Sequence, residues 1–268
     1  MSLQPVTDIG VNLLHGQFDR DRDAVIERAR NAGIARMLLI CTNLEESARG
    51  IEFCRARDRF WCTAGVHPHD AKDTRPGWLE QLTGLVRNPE VKAVGETGLD
   101  FNRNFSPPEV QIAIFRAQLE LAAEVKKPVF VHDRDSEGKV YDLLNEHSGE
   151  LPAVVVHCFT GDGSDLNRYL NAGFYIGITG WVCDPSRGRL LQDLVPDIPL
   201  DKLLVETDAP FLMPRNAPSN TSKKGRNEPS YLNFIIEKIA ELNECDPSKI
   251  ASATHHNASI LFELPEYG

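Results

Sequence analysis

Short apolar runs recur along the chain at Val6–Val11, Met37–Cys41, Trp61–Val66, Val91–Val94, Val129–Val131, Val154–Val156, Tyr175–Ile178 and Leu203–Val205. Their length and β-branched content predict eight strands apolar on both faces, as in a parallel sheet. Between them lie the amphipathic segments Asp21–Ala32, Glu45–Arg57, Pro108–Val125, Ser136–Glu146, Gly163–Asn171 and Arg187–Leu194. Within Pro108–Val125, Ala113, Leu119, Ala122 and Ala123 fall near a 3.6-residue period, with Glu109 and Arg116 off that stripe. Two more helices, Ser230–Asn243 and Pro247–Phe262, are predicted after the last strand. Eight β/α repeats predict an α/β chain of the closed (β/α)8 TIM-barrel type, one domain over residues 1–268. A doubly wound open sheet is the alternative. Ala209–Pro229 carries four prolines with Asn, Ser and Lys, and reads as a long ordered loop over the barrel mouth.

Four polar residues stand behind such runs: Glu96, His132, His157 and Asp208, separated by 36, 25 and 51 residues. These intervals suit one, one and two strand-plus-helix units, so all four are expected at one rim. Two imidazoles and two carboxylates converging there make a divalent-metal site.

Composition narrows the partners. With 29 basic and 39 acidic residues the net charge is −10, which argues against a broad basic face coating duplex DNA but leaves room for a small phosphate-reading cleft. The six cysteines, at 41, 54, 62, 158, 183 and 245, form no C-x-x-C pair and point to a reducing compartment. The N-terminus lacks a basic segment followed by an apolar one, and no apolar stretch reaches the roughly 18 residues of a membrane span. A soluble, cytoplasmic monomer with no membrane partner is the expectation.

Asp8-Ile-Gly-Val-Asn12, Gly65-Val-His67-Pro-His69, Gly95-Glu96-Thr-Gly-Leu-Asp100-Phe, Val131-His132-Asp-Arg134, His157-Cys-Phe-Thr-Gly161 and Glu206-Thr-Asp208-Ala-Pro together resemble the TatD deoxyribonuclease family, in order and over nearly the whole chain. Asp100-Phe-Asn-Arg-Asn-Phe-Ser106, Tyr175 to Cys183 and Arg226-Asn-Glu-Pro229 look like its TatD branch. The resemblance implies a TIM barrel of the metallo-dependent hydrolase type with 3′ to 5′ exonuclease activity on single-stranded DNA and RNA, in DNA repair or nucleic-acid turnover. One departure from the wider family is that Gly10 and Asn12 stand where most members carry His-x-His. Gly10 offers no side chain, and Asn12 offers a neutral oxygen that suits magnesium or manganese better than zinc. One firmly held ion and a weaker second are therefore expected, with magnesium first and manganese or zinc as alternatives.

The metal ligands expected are Glu96, His132, His157 and Asp208; Asp208, His67 and Glu96 are the expected catalytic groups. His67 is assigned to the substrate phosphate or its leaving oxygen, His69 to a supporting role, and Arg134 and Arg226 to phosphate contact. The Arg134 guanidinium could instead pair with Asp133 or Asp135. His15 reads as a loop residue, and His255-His256 as surface or packing. Lys223, Lys224 and Arg226 form a basic cluster near the mouth, and Phe101, Phe105, Phe159, Trp181 and Phe211 are candidates to stack on unpaired bases. No Gly-x-Ser-x-Gly elbow or Walker loop appears, and no Gly-x-Gly-x-x-Gly opens a helix after the first strand. The competing functions are a metal hydrolase of a small ester, amide or lactone, and a binding barrel without turnover.

Overall fold

The computed structural model describes residues 4–218 and 225–265. Its strands are β1 (Val6–Val11), β2 (Ile34–Leu39), β3 (Phe60–Ala64), β4 (Val91–Asp100), β5 (Val129–Arg134), β6 (Val154–Val156), β7 (Tyr175–Ile178) and β8 (Leu203–Val205), in one sheet in chain order. The chain is thus the (β/α)8 barrel that the alternation of runs predicts. Packing divides it into two compact units: Ile40–His157 with Ser164–Tyr175, and the remainder. No helix among the described residues is long and apolar enough to cross a membrane.

The unit holding both termini pairs β1 with β2 and β7 with β8, all parallel. β8 returns to β1 through a bridge between Val11 and Ala209. Its helices are α1 (Arg22–Asn31), α7 (Arg189–Leu194), α8 (Leu232–Leu242) and α9 (Pro247–Leu261). α9 starts where it does because Asp246 accepts from the Ser248 amide and Pro247 needs no partner in the first turn. Asn257 then ties α9 to the sheet, donating to the carbonyls of Leu200 and Leu203 at 2.7 and 2.8 Å.

The other unit carries β3 to β6 with α2 (Leu44–Arg55), α3 (Trp78–Val86), α4 (Pro108–Val125), α5 (Lys139–Glu146) and α6 (Gly163–Asn171). Two of its strands run longer than their apolar runs. β4 and β5 stay paired through Gly98–His132, Leu99–Asp133 and Asp100–Arg134. An apolar criterion ends these strands at Val94 and Val131 because the alternate positions beyond, Glu96 and Asp100 on β4 and His132 on β5, face one another as polar groups. Glu96 and His132 accordingly lie inside strands rather than behind them. α3 is the helix that the run pattern misses: its apolar stripe, Leu82 and Val86, is short, Gly77 opens it and Gly84 interrupts it.

Two buried glutamines of α4, seven residues apart and so on one face, hold the ends of β3 and β4. Gln118 bonds both backbone groups of Val66, at 2.8 and 2.9 Å, and donates to the Thr97 hydroxyl at 2.7 Å. Gln111 accepts from the Asp100 amide at 2.8 Å and donates to the carbonyls of Asp100 and Ser106 at 3.2 and 2.7 Å. An amide side chain satisfying backbone in this way replaces ladder bonds where the strands splay. Glycines let the same strands approach closely. A Cβ on Gly65 would lie 2.5 Å from the Gly95 carbonyl carbon, one on Gly95 2.3 Å from the Phe130 oxygen, and one on Gly98 1.9 Å from the His132 oxygen.

Candidate metal centre

Three imidazoles converge on a single carboxylate oxygen. Glu96 Oε1 lies 2.8 Å from His157 Nε2, 3.0 Å from His132 Nδ1 and 3.3 Å from His67 Nε2. Each side chain arrives from a different strand. Glu96 and His132 project from the extended ends of β4 and β5, and His157 directly follows β6, its amide bonded to the Val131 carbonyl at 2.9 Å. His67 follows β3 and caps the 3₁₀ turn Pro68–Asp73, its Nδ1 accepting from the His69 amide at 3.1 Å. That bond leaves Nε2 of His67 to face Glu96. Gly65 and Gly95 precede two of these residues, so the close strand spacing falls at the level of the cluster.

Electrostatics sharpen the roles. Burial alone would raise the Glu96 carboxyl, but the attraction of His157 and His67 and the bonds from His132 and His157 hold it well below the usual range. Burial pushes His67 down, which favours the neutral imidazole. For His132 burial acts in the same direction, yet the carboxylates of Asp100 and Glu96 outweigh it and raise the pKa.

The donor set fits a divalent cation. His67, Glu96 and His132 each offer an atom within 4.8 Å of the others. Nε2 of His132 is buried without a hydrogen-bond partner, 3.4 Å from Asp100 Oδ2. Imidazole nitrogens gathered around a carboxylate oxygen make a mixed N/O donor set of the kind that holds divalent ions. Structure therefore adds His67 to Glu96, His132 and His157 as a group able to hold metal.

Behind the cluster stands a carboxylate whose role the run pattern does not reveal. Asp100 is fully buried and accepts at Oδ2 from His69 Nε2 at 2.7 Å and from an Arg103 guanidinium nitrogen at 2.8 Å. Its Oδ1 accepts from the Arg103 amide at 2.8 Å. Burial would raise this acid too, but the nearby His132 imidazole and the bonds from His69 and Arg103 hold it far below the carboxylate range. The available signal was parity: residues 96 and 100 share a strand face, as do 132 and 134. Arg134, half-buried, comes no nearer than 3.9 Å to Asp135, so its pairing there is loose. Among the aromatic candidates, Phe159 is buried, whereas Phe105 and Phe211 are exposed.

In the other unit Asp208 follows β8, and its Oδ1 accepts from Asn12 Nδ2 at 2.8 Å. A Cβ on Gly10 would lie 2.2 Å from Glu206 Oε2, so that carboxylate fills the place of the missing imidazole. The other Glu206 oxygen accepts from the Cys158 amide at 2.6 Å. Arg226 is committed: it donates to both oxygens of Asp21 at 2.8 Å, to Glu228 at 2.7 Å and to the Gln17 carbonyl at 2.8 Å, over the Phe18 ring. Asn227 pins the same loop, donating to the carbonyls of Thr207 and Phe211 at 2.8 and 2.7 Å. His15 caps a 3₁₀ turn and His255 bonds Thr7 at 2.9 Å, packing roles in both cases. Lys223 and Lys224 lie outside the described residues.

Beneath this strand end, Asp8 accepts from the Thr207 hydroxyl at 2.6 Å and from the amides of Thr207 and Gly10 at 2.9 and 3.2 Å. Complete burial still pushes its carboxyl up to about 7 from the usual 3.8. Since the folded value lies above the unfolded one, the stability tied to protonated Asp8 is full below about pH 4 and is lost as pH rises to about 7, at most about 4 kcal/mol. Asp8→Asn should remove that loss. In urea titrations from pH 4 to 7.5 the variant should gain on the wild type as pH rises; parallel profiles would show that Asp8 does not titrate in this window.

Comparison with known proteins shows the family. The model of the TatD related DNase family matches residues 7–263. The chain is 48% identical over 258 residues to the 3′-5′ ssDNA/RNA exonuclease TatD of Salmonella typhimurium, covering 96% of this chain and 98% of that protein. It is likewise 48% identical over 257 residues to the protein of the same name from Citrobacter rodentium, covering 96% and 97%. Among solved structures, the TatD homolog YjjV of Escherichia coli K12 superposes with a TM-score of 0.88 at 30% identity, over 97% of this chain and 98% of that one. A TatD family hydrolase of Entamoeba histolytica gives 0.88 at 25% identity, over 98% and 99%. With a family model and relatives that match over nearly its full length, the chain belongs to the TatD-related DNase family.

Proposed function

We propose that the chain is a metal-dependent exonuclease, one hydrolase domain that removes nucleotides from the 3′ end of single-stranded DNA and RNA. The observation that carries this reading is the convergence of His67, His132 and His157 on one oxygen of Glu96. Glu96, His132 and His157 would hold the ion, with Asp208 as a further oxygen ligand. A divalent cation held there, magnesium in this proposal, would supply Lewis-acid charge. The chain's own groups do the rest. Asp208 accepts the proton of the attacking water. Neutral His67 and the Arg134 guanidinium face the phosphate and steady charge on the leaving oxygen. His69 and Asp100 keep His132 in register. Arg226 acts on substrate only through the loop it holds, because its donors are already paired. Six free thiols accord with a reducing, cytoplasmic setting, and the protein is taken to act as a monomer in repair or turnover of nucleic acid.

The test is turnover of strands labelled at the 3′ or 5′ end, with duplex as control, in magnesium, manganese, cobalt and zinc. Stepwise shortening from the 3′ end is expected. Internal cuts, no cleavage in any metal, or hydrolysis of small esters in place of strands would reject the reading.

A further inference from the structure

Four large apolar side chains stand out among the described residues as exposed, and Phe105 is the one that lies in the unit carrying the centre, 57% exposed. Its backbone is not free to turn the ring inward. Ser106, next in the chain, is fully buried: its hydroxyl donates to the His69 carbonyl at 2.9 Å and accepts from the Lys72 amide at 3.1 Å, while its carbonyl accepts from Gln111 at 2.7 Å. On the other side Asn104 takes a left-handed conformation and donates to the Phe101 carbonyl at 2.6 Å. The loop is thus anchored at both ends of a ring left in water. Burying that ring would favour the folded state, so a fixed loop that leaves it out does not serve folding.

The ring is continuous with the centre. Phe105 meets His69 edge-on with centroids 4.7 Å apart, His69 meets His67 at 4.3 Å, and His67 meets His132 at 4.7 Å. Arg103, half-exposed beside it on Asp100, and Arg134 offer positive charge to a backbone passing this point. A flat apolar face in water, a short ring ladder to a hydrolytic centre and flanking guanidinium groups match one nucleotide: base on the ring, phosphate at the imidazoles.

We infer that Phe105 is a substrate-positioning residue, the platform on which the terminal nucleobase of the strand stacks while its phosphodiester lies at the His67–Glu96–His132 cluster. The inference rests on the nuclease reading. Stacking of this kind is sequence-tolerant, since every base presents a face, and it requires an unpaired end.

Phe105→Ala should leave thermal stability and kcat near wild type and raise KM about tenfold or more on strands ending in an ordinary nucleotide. On strands ending in an abasic residue the variant and wild type should have equal KM, and Phe105→Tyr should restore the wild-type value on ordinary ends. A 2-aminopurine at the 3′ terminus, read with the metal-free protein, should be quenched by wild type and Tyr variants and not by the Ala variant. Equal KM for Ala and wild type on ordinary ends, or the same rise on abasic ends, would overturn the platform. Turnover without quenching overturns stacking alone; quenching without turnover rejects the nuclease reading and leaves the stacking site standing; neither signal rejects both.

Discussion

Replacing Glu96 by glutamine should lower metal-dependent turnover by about 10³-fold or more while leaving the barrel folded. The side chain is buried, and the amide keeps its size, so packing is conserved. What disappears is the ionised oxygen on which His157, His132 and His67 converge at 2.8 to 3.3 Å. Loss of one charge-stabilising group from a preorganised site typically costs 10² to 10³, and here the same group also serves the cation as a ligand. Calorimetric titration with manganese should show the affinity falling together with the rate, and near-ultraviolet circular dichroism should match the wild type. A Glu96→Gln protein with wild-type affinity and rate would remove this carboxylate from the centre.

Asp100→Asn should act one layer further out, through orientation. Its carboxylate takes bonds from His69, from the Arg103 side chain and from the Arg103 amide, and approaches His132 Nε2 at 3.4 Å. An amide has one accepting atom where the carboxylate has two, so at least one of these donors would face an NH2 group. Groups that orient metal-binding imidazoles commonly account for 10- to 100-fold in affinity or activity, and a loss of that size, mainly in kcat, is expected. The pH response separates this from a general loss of structure. Because the folded pKa of Asp100 is depressed, its contribution to stability is present above about pH 4 and is lost as pH falls through the folded value. Acid unfolding of the variant should therefore be shallower than that of the wild type. An unchanged kcat with an unchanged acid profile would show that Asp100 orients nothing.

Much of this molecule was legible from periodicity. Pro108–Val125 and Gly163–Asn171 form helices with the bounds their patterning gives, and β1, β6, β7 and β8 coincide with their apolar runs. Those segments obey one rule along their length, an apolar stripe or an apolar run. The rule fails where a strand enters the centre. Beyond Val94 and Val131 the alternation continues with Glu96, Asp100 and His132, which are polar because they face each other rather than solvent, and hydropathy reads that as the end of a strand. Gln111 and Gln118 were hidden for a related reason. A buried amide on a helix is indistinguishable in one dimension from an exposed one, and only the unpaired backbone of Val66 and Asp100 explains it. Arg226 shows the opposite error: a basic residue near a mouth invites a phosphate, but Asp21 lies 205 positions away in sequence and 2.8 Å away in space.

The close strand spacing at Gly65, Gly95 and Gly98 bears on how tolerance to substitution at this rim should be interpreted. None of the three donates an atom to chemistry, yet the smallest added side chain at any of them would meet neighbouring backbone at 1.9 to 2.5 Å. Backbone cannot step aside as a flexible side chain can, and the residues displaced would be those next to His67, Glu96 and His132. In a saturation screen scored by nucleolysis these glycines would be as intolerant as the ligands, so intolerance there marks the gauge of the scaffold as well as the seat of the reaction.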